Sequence, residues 1–387
     1  AVGVRATAAM LLKSALCARL APALAPTLVL TAEEYVAQVV PKQPVVIATH
    51  DGTFHCDEAL AVAMLRLTPT FKEAAVVRTR DPQVYGAADV VVDVGGTYDA
   101  ATKRYDHHQR GFEEVCAECG RTTKLSSAGL TWRHHGRDVL RTIVREGGLA
   151  EGTPLSADDE AAVLKRVYEA FVEHVDGIDN GLAACVGDDA RPRYALSTTL
   201  SARVGRLNAR WNDAAADATA VNARFRAAVE LCGAELVEAV EDATLSWLPA
   251  RRVVHDALAK STDDDGDGQV VVLDTACPWA AHIHALEPPD RPVAYVVFED
   301  SKGDSWRVQA VPVAEGSFVT RKPLPEPWRG LRDADLAART GLASAIFVHA
   351  SGFIGGCKTK QDALAMARQA LDLLAAPEEE PSKRPKV

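Results

Sequence analysis

Four of the eleven histidines of this 387-residue chain fall in two short segments, His50-Asp51-Gly52-Thr53-Phe54-His55-Cys56-Asp57 and Tyr105-Asp106-His107-His108, with Asp93 between them. Neutral imidazole together with carboxylate suits borderline and hard divalent ions such as Mn²⁺, Zn²⁺, Fe²⁺ or Co²⁺, and a shared carboxylate can bridge two of them. A metal pair lowers the pKa of water held between the ions and offsets charge on the attacking and leaving oxygens of a phosphate ester, so no Ser or Cys nucleophile is required. A single His at a strand end is ordinarily a hydrogen-bonded structural residue, and Asp-His-His alone is a weak pattern. The ordered set of strand end, loop, second strand end and His pair answers one geometric demand. We therefore expect a two-metal phosphoesterase, with a nuclease as the leading activity and Mn²⁺ as the expected ion, Mg²⁺ or Co²⁺ being the alternatives.

The elements that must position these residues follow from the hydropathy pattern. Residues 45–49, Val-Val-Ile-Ala-Thr, are a short apolar run of the kind buried on both faces of a sheet, and the run stops at His50. Asp57-Glu58 then opens an apolar helix over 59–67, acidic residues standing in its first turn. Further strands are expected at 75–79 and 90–94, the second containing Asp93. Strands alternating with helices favour a parallel α/β sheet, whose ligand chemistry gathers at the C-terminal ends of the strands, where His50 and Asp93 both lie.

Ser126-Ser127 precedes a short helix expected to end near His135. A longer one starts at Ser156, which has capping-box spacing to Asp159. Its apolar stripe, Val163, Leu164, Val167, Phe171, Val172 and Val175, runs into Asp176 and Asp179, one turn apart on one face. A third, Ala-rich helix covers about 213–240. Strand-like runs then follow at 269–274, 293–298, 306–313 and 346–349, and a last helix at 361–374. The fold class read from this order is α/β: an N-terminal, mainly parallel sheet with flanking helices over 41–244, and a smaller C-terminal α/β domain over 245–376.

Length alone argues for two domains, and 48% hydrophobic with 25% charged residues fits a soluble globular chain. A formal charge of −10 argues against a protein that coats nucleic acid non-specifically, yet leaves room for a phosphate enzyme whose metals supply positive charge locally. The eight cysteines show no framework spacing, so reduced thiols are expected. Cys116 and Cys119 form half a zinc pattern with no second half and read as structural or incidental. No acidic residue precedes Glu33, while Arg5, Lys13 and Arg19 punctuate an Ala- and Leu-rich stretch, so 1–40 reads as a transit peptide or disordered arm. The run 20–30 is too short and too interrupted by Pro22 and Pro26 to span a bilayer, and no membrane partner is expected. The tail 377–387 is acidic, then basic, and reads equally as a nuclear import signal or a solvated charge run. The acidic segment 263–268 lacks the bidentate Glu of a calcium loop and reads as a solvated loop.

Longer motifs carry a resemblance. Thr49-His50-Asp51-Gly52-Thr53-Phe54-His55-Cys56-Asp57-Glu58-Ala59, Val92-Asp93-Val94-Gly95-Gly96, Tyr105-Asp106-His107-His108-Gln109-Arg110-Gly111-Phe112, Lys124-Leu125-Ser126-Ser127-Ala128-Gly129 and His349-Ala350-Ser351-Gly352-Phe353-Ile354-Gly355-Gly356 resemble the Myg family (melanocyte proliferating gene protein), a branch of the DHH phosphoesterase superfamily, over about residues 43–373. The resemblance implies a 3′ to 5′ RNA exonuclease of mitochondrion and nucleus, two domains flanking a cleft, and an RNA or oligonucleotide substrate. It implies that His50, His55 and Asp93 hold one metal, that Asp57, Asp93, His107 and either Asp176 or Asp179 hold the other, that Asp106 orients His107, and that His108 faces the scissile phosphate. In the second domain it implies substrate contacts from His349, Ser351 and the backbone at Gly352, Gly355 and Gly356. Arg307, Arg321, Lys322 and Arg329 are candidates for phosphate binding. The superfamily more often has Asp where this chain has His55, and Cys357 stands where Asn is expected. Two alternatives share the residues: a pyrophosphatase or short-nucleotide phosphoesterase with the same chemistry, and a non-catalytic RNA-binding protein that keeps the fold.

Overall fold

The computed structural model describes residues 28–375 except 39–44, 150–153, 186–193, 214–216 and 266–267, together with Leu16, Arg19, Leu20 and Leu24, and the backbone alone at 38, 262–265 and 375. Most of the 1–40 segment read as a transit peptide or disordered arm, and the tail 377–387 with its two readings, lie outside the described residues. The chain divides into two compact units, Ala1–Leu245 and Ser246–Val387.

The first unit is built on β1 (Val29–Leu30), β2 (Val46–Thr49), β3 (Ala75–Arg78), β4 (Val90–Val92), β5 (Tyr98–Asp99) and β6 (Arg104–Tyr105), in the order β1-β3-β2-β4-β6-β5. All neighbours are parallel except the β5–β6 pair. Its helices are α1 (Ala32–Gln38), α2 (Cys56–Arg66), α3 (Pro82–Tyr85), α4 (Ser127–Gly147), α5 (Ala157–Val167), α6 (Glu173–Asp179), α7 (Leu200–Gly205) and α8 (Ala218–Asp242). Strand β2, Val-Ile-Ala-Thr, is buried at every position, as a sheet covered on both faces requires. Helix α2 is likewise buried along its whole length, packed on α4 and α8, because it is apolar all round except at Asp57, Glu58 and Arg66.

Two elements differ from the sequence expectation. Helix α4 continues to Gly147 rather than stopping near His135, since Val139, Leu140, Ile143 and Val144 extend its buried stripe until Gly148 closes it at φ 63°. The N-terminal arm is not wholly an appendage: β1 pairs with β3 as an edge strand and the Asn222 amide donates to Val29 O, so residues 28–38 belong to the first unit rather than to a separate 1–40 segment. Ser156 caps α5 by accepting from Asp159 N, and a five-residue π-helical turn, Tyr168–Val172, carries the path into α6.

The second unit has a five-stranded sheet of β7 (Val270–Leu273), β8 (Tyr295–Glu299), β9 (Trp306–Ala310), β10 (Ala345–Val348) and β11 (Ile354–Cys357), ordered β10-β11-β9-β8-β7 and antiparallel except for β7–β8. Helices α9 (Leu248–Asp265) and α10 (Ala280–Leu286) supply Val254 and Ile283 to one core with Val271 and Val296, while α11 (Asp333–Thr340) and α12 (Lys360–Ala375) supply Leu336 and Met366 to another with Tyr295 and Val308. Residues 263–265, expected in a loop, continue α9.

Candidate metal centre

The strand β2 ends at Thr49 and hands His50 to the C-terminal edge of the sheet, where β4 hands over Asp93. Asp93 takes φ +56°, a left-handed backbone that a non-glycine residue adopts only when its surroundings impose it. That backbone sets its carboxylate between two imidazoles: Oδ2 lies 3.3 Å from His50 Nε2 and Oδ1 lies 3.5 Å from His107 Nε2. Ser127 Oγ, in the first turn of α4, donates to Oδ1 at 3.3 Å. Burial would raise this carboxyl, but His107 and His50 hold it well below the ordinary Asp value.

His50 Nδ1 lies 2.8 Å from Asp51 O, so a neutral ring that donates there presents its Nε2 lone pair to the carboxylates, which is the tautomer a metal ligand needs. Burial opposes a charged imidazole at both His50 and His107. The neighbouring carboxylates outweigh it, Asp93 and Glu58 at His50 and Asp179 and Asp93 at His107, and both rings are pushed up to about 10. Without metal these two rings are therefore the cations of the cluster.

Glu58 is the residue that motif reading missed. It is fully buried, its Oε1 lies 3.1 Å from His50 Nε2, and both its oxygens accept from His55 N, closing a capping box at the start of α2. The His55-to-Glu58 spacing announces a helix cap but not the approach to His50. Asp57, its neighbour, is buried with neither carboxylate oxygen hydrogen-bonded among the described residues, and His107 Nε2 is likewise buried without a hydrogen bond. Burial first, then the charges of Asp93, Glu58 and Asp179, push the Asp57 carboxyl well above its ordinary value.

Three groups of donor atoms, each within 4.8 Å of one another, result: His50, His55, Glu58 and Asp93; Asp93, His107 and His108; His55, Asp57 and Asp179. Four carboxylates in so small a volume, one with both oxygens orphaned, fit a divalent cation by charge and by donor type.

Of the two carboxylates left open, the structure brings Asp179 to the cluster, its Oδ2 3.1 Å from His107 Nε2. Asp176 is not brought there. It is fully buried and saturated, Oδ1 accepting from Ser126 N, Ser126 Oγ and Gly129 N, and Oδ2 from Tyr168 OH. The Asp106 expectation also needs correction: it bonds to His108 and to Gly96 N, not to His107, because Oδ1 takes both His108 N and Nδ1 while Oδ2 takes the Gly96 amide at 2.6 Å.

In the second unit the proposed phosphate-binding cations are engaged. Arg321 makes a double ion pair with Glu287, Arg307 pairs with Asp300 at 2.7 Å, Arg329 Nε donates to Leu324 O, and Lys322, still exposed, reaches Gln269. Gly355 and Gly356 lie buried in β11, where a Cβ would meet Met366 at 2.9 Å and Phe347 at 2.8 Å, so packing and not ligand access requires them. Gly352 has φ +75° in the turn before β11, and His349 Nδ1 and Ser351 Oγ, 2.9 Å apart, stay exposed beside it. Cys357 is buried in the core, not turned to a ligand. Cys116 and Cys119 are joined as a disulfide, while Cys56, Cys185, Cys232, Cys277 and Cys357 are free, and the pair stands outside the three groups.

A histidine and carboxylate cluster at the C-terminal edge of a parallel α/β sheet is the framework of a hydrolytic nuclease. The chain belongs to the MYG1 exonuclease family: the family model MYG1_exonuc, described as an uncharacterised protein family (UPF0160), matches residues 46–371. The MYG1 exonuclease of Bos taurus is 46% identical over 344 residues, 87% of this chain and 87% of the relative, and that of Homo sapiens 46% over 333 residues, 84% and 85%. The MYG1 protein of Caenorhabditis elegans is 41% identical over 350 residues, 88% of this chain and 98% of the relative. Among solved structures, exonuclease RecJ bound to manganese is similar over 87% of this chain and 92% of that one, at 17% identity and a TM-score of 0.22. Among the described residues no helix is long and apolar enough to cross a membrane.

Proposed function

We propose that this chain is a divalent-metal-dependent 3′ to 5′ exonuclease acting on RNA, with two ions, Mn²⁺ first among them. The observation that carries the reading is Asp57, a buried carboxylate whose oxygens meet no N–H or hydroxyl donor among the described residues, set against Asp179 and two more carboxylates and beside two imidazoles that face them. His50, His55, Glu58 and Asp93 would hold one ion. Asp57, Asp93, His107 and Asp179 would hold the other, Asp93 being common to both. When bound, the ions supply Lewis acidity to the phosphate and a nucleophilic water at neutral pH.

The chain's own residues do the rest. Asp51 O fixes the His50 ring through Nδ1, and Ser127 steadies Asp93. Asp106 holds His108 through its Nδ1–H and its backbone N–H; the neutral ring, exposed to 63%, is left with the Nε2 lone pair to accept a proton from the attacking water. The acid-poor N-terminal stretch supports a mitochondrial address and the basic tail a nuclear one, which fluorescent fusions lacking either segment would separate.

Asp93→Ala tests the reading. Turnover of labelled RNA oligonucleotides in Mn²⁺ should fall below detection while the far-UV dichroism stays that of the parent; undiminished turnover overturns the mechanism.

A further inference from the structure

The metal cluster occupies the C-terminal ends of β2 and β4. Along the same edge, beyond the 50–52 loop and over the ends of β1 and β3, lies a cavity of about 660 Å³ that no step above uses. Its volume is that of a small-molecule site rather than of a polymer groove. Glu33, Asp51, Arg78, Val221 and Asn222 lie in its wall, drawn from α1, the metal loop, β3 and α8.

The lining selects a ligand class. Two carboxylates at neutral pH only accept hydrogen bonds, so they repel a phosphate and favour a group with two donors, as a vicinal diol has. The Asp51 carboxylate has an exposed partner in Arg80 at 3.2 Å, and an exposed ion pair of that kind competes weakly. Asn222 is held by two long bonds, 3.4 Å from Arg78 and 3.4 Å to Val29 O, so its amide has bonding capacity left for the edge of a base. Val221 offers an apolar wall for a base face. The Arg78 guanidinium is buried against the rings of Phe54 and Phe225, 5.6 and 4.7 Å from their centroids, and donates to Gly52 O at 2.8 Å, so the cavity wall and the 50–52 loop share one support. Asp51 is the residue next to His50, so a nucleoside seated here lies beside the cluster.

Resting on the exonuclease reading above, we infer that this cavity receives the 3′-terminal nucleoside of the substrate and reads its ribose diol. The scissile phosphate is then the 5′ phosphate of that nucleoside. Water adds at phosphorus, the bond to the 3′ oxygen of the preceding nucleotide breaks, that oxygen takes up a proton, and a nucleoside 5′-monophosphate leaves. Loss of either hydroxyl removes a charge-assisted hydrogen bond, which is how a protein distinguishes ribose from deoxyribose at one position.

The test is calorimetric titration of the full chain, loaded with Mn²⁺, with adenosine 5′-monophosphate and its 2′-deoxy and 3′-deoxy counterparts. Each deoxy form should bind about tenfold more weakly. Glu33→Gln should erase most of that difference, and Val221→Trp, which fills the cavity, should weaken the ribonucleotide about tenfold or more, while hydrolysis of bis(p-nitrophenyl) phosphate, which has no sugar, stays at the parent rate in both. Equal affinity for the three nucleotides, or unchanged binding in Val221→Trp, overturns the inference. If the parent discriminates the sugars but cleaves no phosphodiester in Mn²⁺, Mg²⁺ or Co²⁺, the cavity stands and the exonuclease reading falls.

Discussion

Asp106 Oδ1 lies 2.8 Å from His108 Nδ1 and accepts the His108 backbone N–H as well, at 3.0 Å, so one carboxylate oxygen fixes both the ring and the main chain of a residue whose side chain is otherwise exposed. Its second oxygen is tied to Gly96, in the turn that follows Asp93. The pair therefore locks an outward-facing imidazole to the strand end that carries Asp93.

Asp106→Asn should separate this positioning role from metal holding. An amide oriented to accept from Gly96 turns a donor toward His108 Nδ1, inverting the tautomer the ring prefers. Turnover should drop about 10- to 100-fold, with metal content by elemental analysis unchanged. Equal loss of metal and activity would assign Asp106 to the ligand set instead.

Asp176 and Asp179 give opposite expectations although they share one helix. Asp176→Ala strips the partner from four donors in the interior and should destabilise the fold by about 3 kcal/mol, while any folded fraction keeps its metal. Asp179→Ala should lose metal affinity with little change in the urea midpoint. Gly129 adds a check: an ideal Cβ there would lie 2.3 Å from Asp176 Oδ2, so Gly129→Ala should resemble Asp176→Ala and not Asp179→Ala.

Asp57→Asn should stabilise the metal-free protein, by about 1 kcal/mol or more, because a neutral amide no longer meets Asp93, Glu58 and Asp179 as a like charge in a buried site. The same variant should lose the thermal shift that Mn²⁺ gives the parent, which for a site saturated at a hundredfold over its dissociation constant corresponds to about 2.7 kcal/mol. A parent protein indifferent to Mn²⁺, or a variant that still responds fully, contradicts the assignment of Asp57.

What the sequence disclosed and what it withheld follow one rule. Strand ends and helix starts are local, so the positions of His50, Asp93 and Asp57 could be placed from hydropathy and turn residues alone. Which of two carboxylates one turn apart meets His107 is tertiary: Asp176 is claimed by the α4 N-terminus and by Tyr168, a residue of the π-helical turn that no periodicity announced. Glu58 was visible as an acidic residue in a first helical turn, which is an ordinary place for one, and only the approach of His50 distinguishes it. The two-residue strand β1 is too short to show alternation, so its membership of the sheet could not be read. The second unit's arginines looked available because sequence shows charge but not the Glu287 and Asp300 that occupy them.

His135 supplies a pH signature away from the cluster. Its Nε2 lies 3.0 Å from Tyr105 OH and its ring meets Phe71 edge-on, and burial, then the positive neighbours His134 and Lys103, push it down to about 4. The neutral ring accepts the Tyr105 hydroxyl proton, and a charged ring cannot. Between pH about 6.5 and 4 the unfolded chain therefore binds a proton that the folded chain refuses, so this contribution is fully present above about 6.5 and is lost as pH falls toward 4. Discounted for a half-buried side chain, it amounts to on the order of 1–2 kcal/mol. His135→Gln keeps an acceptor for Tyr105 but has no proton to gain. Urea midpoints of the metal-free proteins at pH 7 and pH 4.5 should fall less in the variant than in the parent, and since the cluster titrates identically in both, the difference isolates His135. Parallel losses in the two proteins would mean that the ring charges in place without cost.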